Sequence, residues 1–234
     1  MPAREKRLPQ PVRSDSLAAQ TFTILKEAIF AGKFQPGEAV LEMHLAKSLQ
    51  VSQATVREAL VLLEQAGLVV KSQGRRTTIT SLTREEVRDR LSIRIALEEI
   101  ACVKAAARMR EADFRELDKL AKRIAENIGA GDWLRMTLAD ARFHHLIWER
   151  AEAPILLRTL DQITTPLFAF LGALHADGPR DLQSGKRHEA IVEALKSRDP
   201  KIARKAIRDH IEGSYRTFLD EREPSARLRN AQSP

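Results

Sequence analysis

From Thr83 onward the sequence carries helical periodicity and no strand signal, and this feature most restricts what the chain can fold into. Apolar residues recurring at i, i+3, i+4 and i+7 bury only as a helix, and several such stripes in succession bury only against one another. Thr83 followed by Glu86 is a capping-box signature ahead of a long helix reaching about Met109. Phe114, Leu117, Leu120, Ala121, Ile124 and Ile128 stripe a second helix, which Gly129-Ala130-Gly131 breaks. Asp132 caps a third, to about Glu149, and Pro154 opens a fourth that Pro166 kinks. A fifth runs from about Arg180 to Ser197. Asp199 caps a sixth, with Pro200 in its first turn. The expectation is an all-α bundle.

The N-terminal part reads differently. Ser14 or Ser16 caps a helix whose apolar side is Leu17, Thr21, Ile24, Leu25, Ala28 and Ile29, ended near Gly32 and followed by a Pro36-Gly37 turn. A short helix, Glu42 to Leu49, puts Leu41, Leu45 and Leu49 on one side. Ser52 caps a third helix, about Gln53 to Gln65, that buries Val56, Ala59, Leu60 and Leu63 and stops at Gly67. Leu68 to Val70 and Thr77 to Thr80 read as strands joined at Ser72-Gln73-Gly74. Three helices and a hairpin describe a winged helix-turn-helix, whose third helix is slim enough for a DNA major groove. Its exposed side offers Ser52, Gln53, Thr55 and Arg57, and the hairpin tip offers Arg75 and Arg76, groups that bond phosphates and base edges. The organisation expected is a flexible basic arm (1–13), the winged unit (14–81), the helical domain (82–222) and a disordered tail (223–234).

Composition narrows the function. In 234 residues, 43% are hydrophobic and 30% charged, enough for a core under a polar surface. A lone cysteine, Cys102, rules out an internal disulfide. No 18-residue apolar run and no apolar signal segment at the N-terminus point to a cytoplasmic protein with no membrane partner. Net charge is +7, and residues 1–80 hold 11 Lys/Arg against 7 Asp/Glu, which makes nucleic acid a candidate partner.

One constellation carries chemistry. Asp140 and His144 lie four residues apart on one expected helix and share a face. His188 and His210 stand 11 residues on either side of Asp199, so an antiparallel hairpin of the last two helices brings them side by side, roughly 16 Å from the turn. A carboxylate and three imidazoles of this kind bind Zn²⁺, Ni²⁺ or Mn²⁺ and leave coordination positions open. Histidines satisfied by ordinary hydrogen bonds are the plainer reading. His145 points about 100° away from His144 and is not expected to ligate, and His44 and His175 have no partner at ligand spacing. Arg94 and Glu98 are one turn apart: either an exposed ion pair, which the sequence favours, or an inward Arg94 that offers its fork to a ligand carboxylate.

The segments Gly32-Lys-Phe-Gln-Pro-Gly-Glu38, Leu45-Ala46, Val51-Ser-Gln-Ala-Thr-Val-Arg-Glu-Ala-Leu60 and Leu63-Glu-Gln-Ala-Gly-Leu68 resemble the N-terminal domain of GntR-family transcription regulators. Arg94-Ile-Ala-Leu-Glu98, Asp140-Ala-Arg-Phe-His144, His188 and His210 are similar to the FCD ligand-binding domain of the FadR-like branch. The resemblance implies that Asp140, His144, His188 and His210 hold a divalent metal that helps bind a small carboxylate effector. It also implies that Ser52, Gln53, Ala54, Arg57 and the wing glycine Gly74 contact operator DNA. Gln53-Ala54-Thr55 replaces the family's frequent Arg-Thr-Pro, a change that shifts base preference from guanine toward adenine, and Ala153 replaces a common asparagine. The expected protein is a homodimeric repressor, not an enzyme, in which effector binding in the helical domain alters operator affinity. A metal-dependent hydrolase and a sensor of the ion itself are the competing readings.

Overall fold

The structure, a computed structural model, describes residues 16–72, 76–175 and 184–220. The expected arm (1–13) and tail (223–234), the alternative cap Ser14, and Gly74 and Arg75 of the hairpin tip lie outside the described residues.

The N-terminal unit is α1 (Leu17–Phe30), β1 (Ala39–Val40), α2 (Glu42–Leu49), α3 (Gln53–Gln65), β2 (Val69–Lys71) and β3 (Thr77–Ile79). Ser16 caps α1, its hydroxyl accepting from the Ala19 amide at 3.2 Å. Ser52 caps α3, accepting from the Thr55 amide at 3.1 Å. Gln50 takes a left-handed conformation (φ 54°) to end α2 and turn the chain into α3. Val56, Ala59, Leu60 and Leu63 form the buried face of α3, as their spacing requires.

Three sequence expectations are corrected here. The buried face of α1 is Ala18, Thr21, Leu25 and Ile29, with Leu17 and Ile24 exposed at 60% and 51%. The stripe is rotated because α1 packs against both α3 and the helical domain. Leu41 caps α2 and is exposed, while Ala46 is the buried residue of that helix. The hairpin also gains a third strand, β1, paired antiparallel to β3 with Val40 opposite Thr77, giving the order β1-β3-β2. Two residues are too few to show alternation, so only pairing reveals that strand.

The helical domain comprises α4 (Arg84–Ala106), α5 (Glu111–Ala130), α6 (Trp133–Arg150), α7 (Pro154–His175), α8 (Ser184–Lys196) and α9 (Pro200–Asp220). The Thr83–Glu86 capping box is formed in both directions. Asp132 accepts from the Arg135 amide at 3.0 Å, and Asp199 from the Lys201 and Ile202 amides. The Gly129-Ala130-Gly131 segment ends α5: the helix runs through Gly129 and Ala130 and stops at Gly131, which takes the left-handed conformation (φ 72°). The joint is close. A Cβ on Gly172 of α7 would stand 2.3 Å from the Phe30 carbonyl oxygen at the end of α1, and one on Gly67 would meet Pro166 at 3.0 Å. The cores of the two parts therefore run into one another.

Candidate functional site

α4, α6, α8 and α9 each send polar side chains into the same buried space. Asp140 and His144 leave the inner face of α6, while His188 from α8 and His210 from α9 meet them across the helical hairpin. The rings of His188 and His210 are 4.3 Å apart between centroids, as their equal offsets from Asp199 require. His188 Nε2 lies 2.6 Å from Asp140 Oδ1, and His144 Nε2 lies 3.1 Å from His210 Nε2. One donor atom from each of the four residues falls within 4.8 Å of every other. Atoms each about 2.1 Å from a common ion are separated by roughly 3–4.3 Å, so the set is close to what a cation needs.

The protonation pattern agrees. His144 Nδ1 stands 2.7 Å from Glu98 Oε2. With Nδ1–H donated to that carboxylate, Nε2 presents its lone pair to the cluster, the arrangement that orients metal-binding imidazoles. Burial, with the neighbouring cationic groups, holds His210 well below its ordinary pKa and so neutral. Its Nδ1 is buried without a hydrogen-bond partner. Burial would raise the Asp140 carboxyl, but the hydrogen bond from His188 and the surrounding positive groups hold it at about 2. Asp140 as an anion and His210 as a neutral imidazole, with the ring nitrogens of His144 and His188 beside them, form a donor set that can hold a divalent ion.

Arg94 and Glu98 correct the favoured sequence reading. They form no surface pair: the Arg94 side chain is 2% exposed, Glu98 is fully buried, and Arg94 Nε donates to Glu98 Oε1 at 2.6 Å. The guanidinium carbon lies 5.0 Å from the Phe168 ring centroid, and Nη2 is buried without a hydrogen-bond partner. Burial disfavours the charge, yet Glu98, with Tyr215 and Asp140, more than restores it and the Arg94 pKa is raised. Glu98 is likewise kept at about 2, burial being outweighed by His144 and Arg94. Arg94, Glu98 and His144 therefore form a continuous polar chain into the cluster. The i, i+4 spacing makes Arg94 and Glu98 neighbours, but nothing local connects Glu98 to a histidine 46 residues away.

Among the described side chains, the other histidines stay out. His145 is partly exposed, facing Glu149 at 3.2 Å and Asp161 at 3.6 Å. His44 is exposed on α2, and the side chain of His175 lies outside the described residues.

At the other end of the molecule, Ser52, Gln53, Ala54 and Arg57 are exposed at the start of α3, and Thr55 is half-buried. The Ser52 and Thr55 hydroxyls are 2.9 Å apart and share a hydrogen bond. Arg76 is exposed at the base of the hairpin tip.

A three-helix unit with a small sheet, exposing the start of its third helix and joined to a helical bundle, defines a DNA-binding transcription regulator. Residues 17–79 match the family described as bacterial regulatory proteins, gntR family, and residues 89–213 match the FCD domain. The chain belongs to the GntR family and carries an FCD domain. It is 32% identical over 197 residues to the HTH-type transcriptional regulator YdhC of Bacillus subtilis (strain 168), covering 82% of this chain and 86% of that protein. It is 30% identical over 213 residues to the "Probable D-xylose utilization operon transcriptional repressor" of Paenarthrobacter nicotinovorans, covering 90% and 91%. Among solved structures it is similar to E. coli McbR/YncC, with a TM-score of 0.77, 22% identity, and coverage of 87% and 99%. The matched domains and relatives are transcriptional regulators, not enzymes, and none of them supports the hydrolase reading. Among the described residues no helix is long and apolar enough to cross a membrane.

Proposed function

We propose that the protein is a repressor whose operator affinity is set by a small organic acid held beside a divalent ion in the helical domain. The observation that carries this reading is the buried Arg94 Nη2, a charged donor without a partner, in the same polar chain as the four-residue cluster. A buried guanidinium whose Nη2 has no hydrogen-bond partner suits a carboxylate. Asp140, His144, His188 and His210 would hold the ion, and Zn²⁺, Ni²⁺ or Mn²⁺ bound there would supply an open coordination position for a carboxylate oxygen. Glu98 orients His144 and keeps Arg94 charged, so both groups stand ready when a ligand arrives.

Residues 14–81 act as the DNA-binding domain and 82–222 as the effector domain. In the first, Ser52, Gln53, Ala54, Thr55, Arg57 and Arg76 would contact DNA, as would Gly74 and Arg75, which lie outside the described residues. A cytoplasmic homodimer would place two α3 helices about one DNA turn apart on a pseudo-palindromic operator. The effector changes operator affinity only through unequal binding to two arrangements of the paired units. Helix α7 would carry that difference, a reading supported by Phe168 beside Arg94 and Gly172 against Phe30 of α1. Repression agrees with the name of the Paenarthrobacter relative.

A thermal-shift screen of small carboxylic acids, with and without Zn²⁺, Ni²⁺ or Mn²⁺, tests the proposal. Acids should raise the melting point only when metal is present, by mass action on the folded state. If metal alone changes operator affinity and no acid does, the ion itself is the signal.

A further inference from the structure

Arg57, the fifth residue of α3, is anchored from outside its own helix. Its Nε donates to Oε2 of Glu42 at 2.6 Å, and Glu42 is the first residue of α2, on the other arm of the helix-turn-helix. The Arg57 side chain is 63% exposed, so it remains open to solvent beyond the anchored nitrogen. A carboxylate at a DNA-facing surface repels phosphates and works against binding. The pair adds little to folding, because exposed ion pairs are worth little. Its geometry has a use, however. An unrestrained arginine loses rotamer freedom on contacting DNA, and a side chain held beforehand loses less. With Nε occupied, the two terminal nitrogens are left as a fixed fork, the shape that reads guanine or clasps a phosphate in register.

We infer that Glu42 is a positioning residue for operator recognition: by holding Arg57 Nε, it orients the terminal fork of Arg57 and turns a general phosphate attraction into sequence discrimination. The inference rests on α3 being the helix that meets DNA.

The test uses the full chain, a duplex selected by the wild-type protein from a random library, and a scrambled duplex of equal length. Glu42→Ala should reduce the ratio of selected to scrambled affinity about tenfold. Affinity for the scrambled duplex should stay level or rise, because a negative charge has left the surface. Glu42→Gln, which keeps a carbonyl acceptor, should recover part of the ratio. In an Arg57→Ala background, Glu42→Ala should cost nothing further, and this cycle also cancels any effect of Glu42 on the first turn of α2. Equal losses on both duplexes, or an undiminished loss without Arg57, would overturn the inference. If Arg57→Ala alone leaves selected-duplex binding intact, the reading of α3 fails and the role of Glu42 falls with it.

Discussion

Glu98 Oε2 and His144 Nδ1 are 2.7 Å apart although 46 residues separate them in the chain, and this contact decides which ring nitrogen faces the cluster. Glu98→Gln removes the carboxylate while nearly keeping the shape. Loss of such an outer partner lowers metal affinity about 10–100-fold. Competition against a chromophoric chelator checks the figure. His188→Ala combined with His210→Ala should abolish bound metal altogether, as read by mass spectrometry.

Arg94 is expected to be costly to remove, because its partner is buried with it. Arg94→Ala leaves Glu98 short of a countercharge and should destabilise the fold by about 3–5 kcal/mol, measured by urea unfolding. Arg94→Lys retains the charge without the planar fork. It should lose the thermal response to carboxylic acids while staying closer to wild-type stability. A retained response in the lysine variant would argue against Arg94 as the carboxylate anchor.

Acidification should weaken the metal-free protein in two stages. His210 is held neutral when folded, its pKa lying well below the ordinary value, so below about pH 6.5 only the unfolded chain takes up that proton. Its contribution is present above that pH and is lost progressively as the pH falls toward the lowered folded-state value. Glu98 and Asp140, both held at about 2, contribute above roughly pH 4 and lose that contribution between there and about pH 2. Urea midpoints measured with a chelator present should follow this course, and His210→Asn should flatten the first stage.

Two glycines offer a paired test of the joint. Gly172→Ala would press a methyl group into the Phe30 carbonyl oxygen and should cost about 1–3 kcal/mol. Gly129→Ala, on α5 with nothing within 4 Å of the new Cβ, should be neutral or stabilise by up to about 1 kcal/mol. Thermal melts of both variants separate steric conflict at the joint from general helix propensity.

The sequence by itself determined the order of helices, the caps Ser52, Thr83, Asp132 and Asp199, the face of α3, and the meeting of His188 with His210, while it left the first cap open between Ser14 and Ser16. Each of these depends on residues a few positions apart, or on equal offsets from one turn, and helix geometry makes such relations readable along the chain. Tertiary structure decided the rest: the rotated face of α1, the strand β1, the burial of Arg94 and Glu98, and the links from Glu98 to His144 and from Glu42 to Arg57. An i, i+4 spacing reads the same on a wet face as on a dry one. Only the packing of α4 against α6, α7 and α9 removes water from that face, and dehydration is what makes an ion pair part of a binding site.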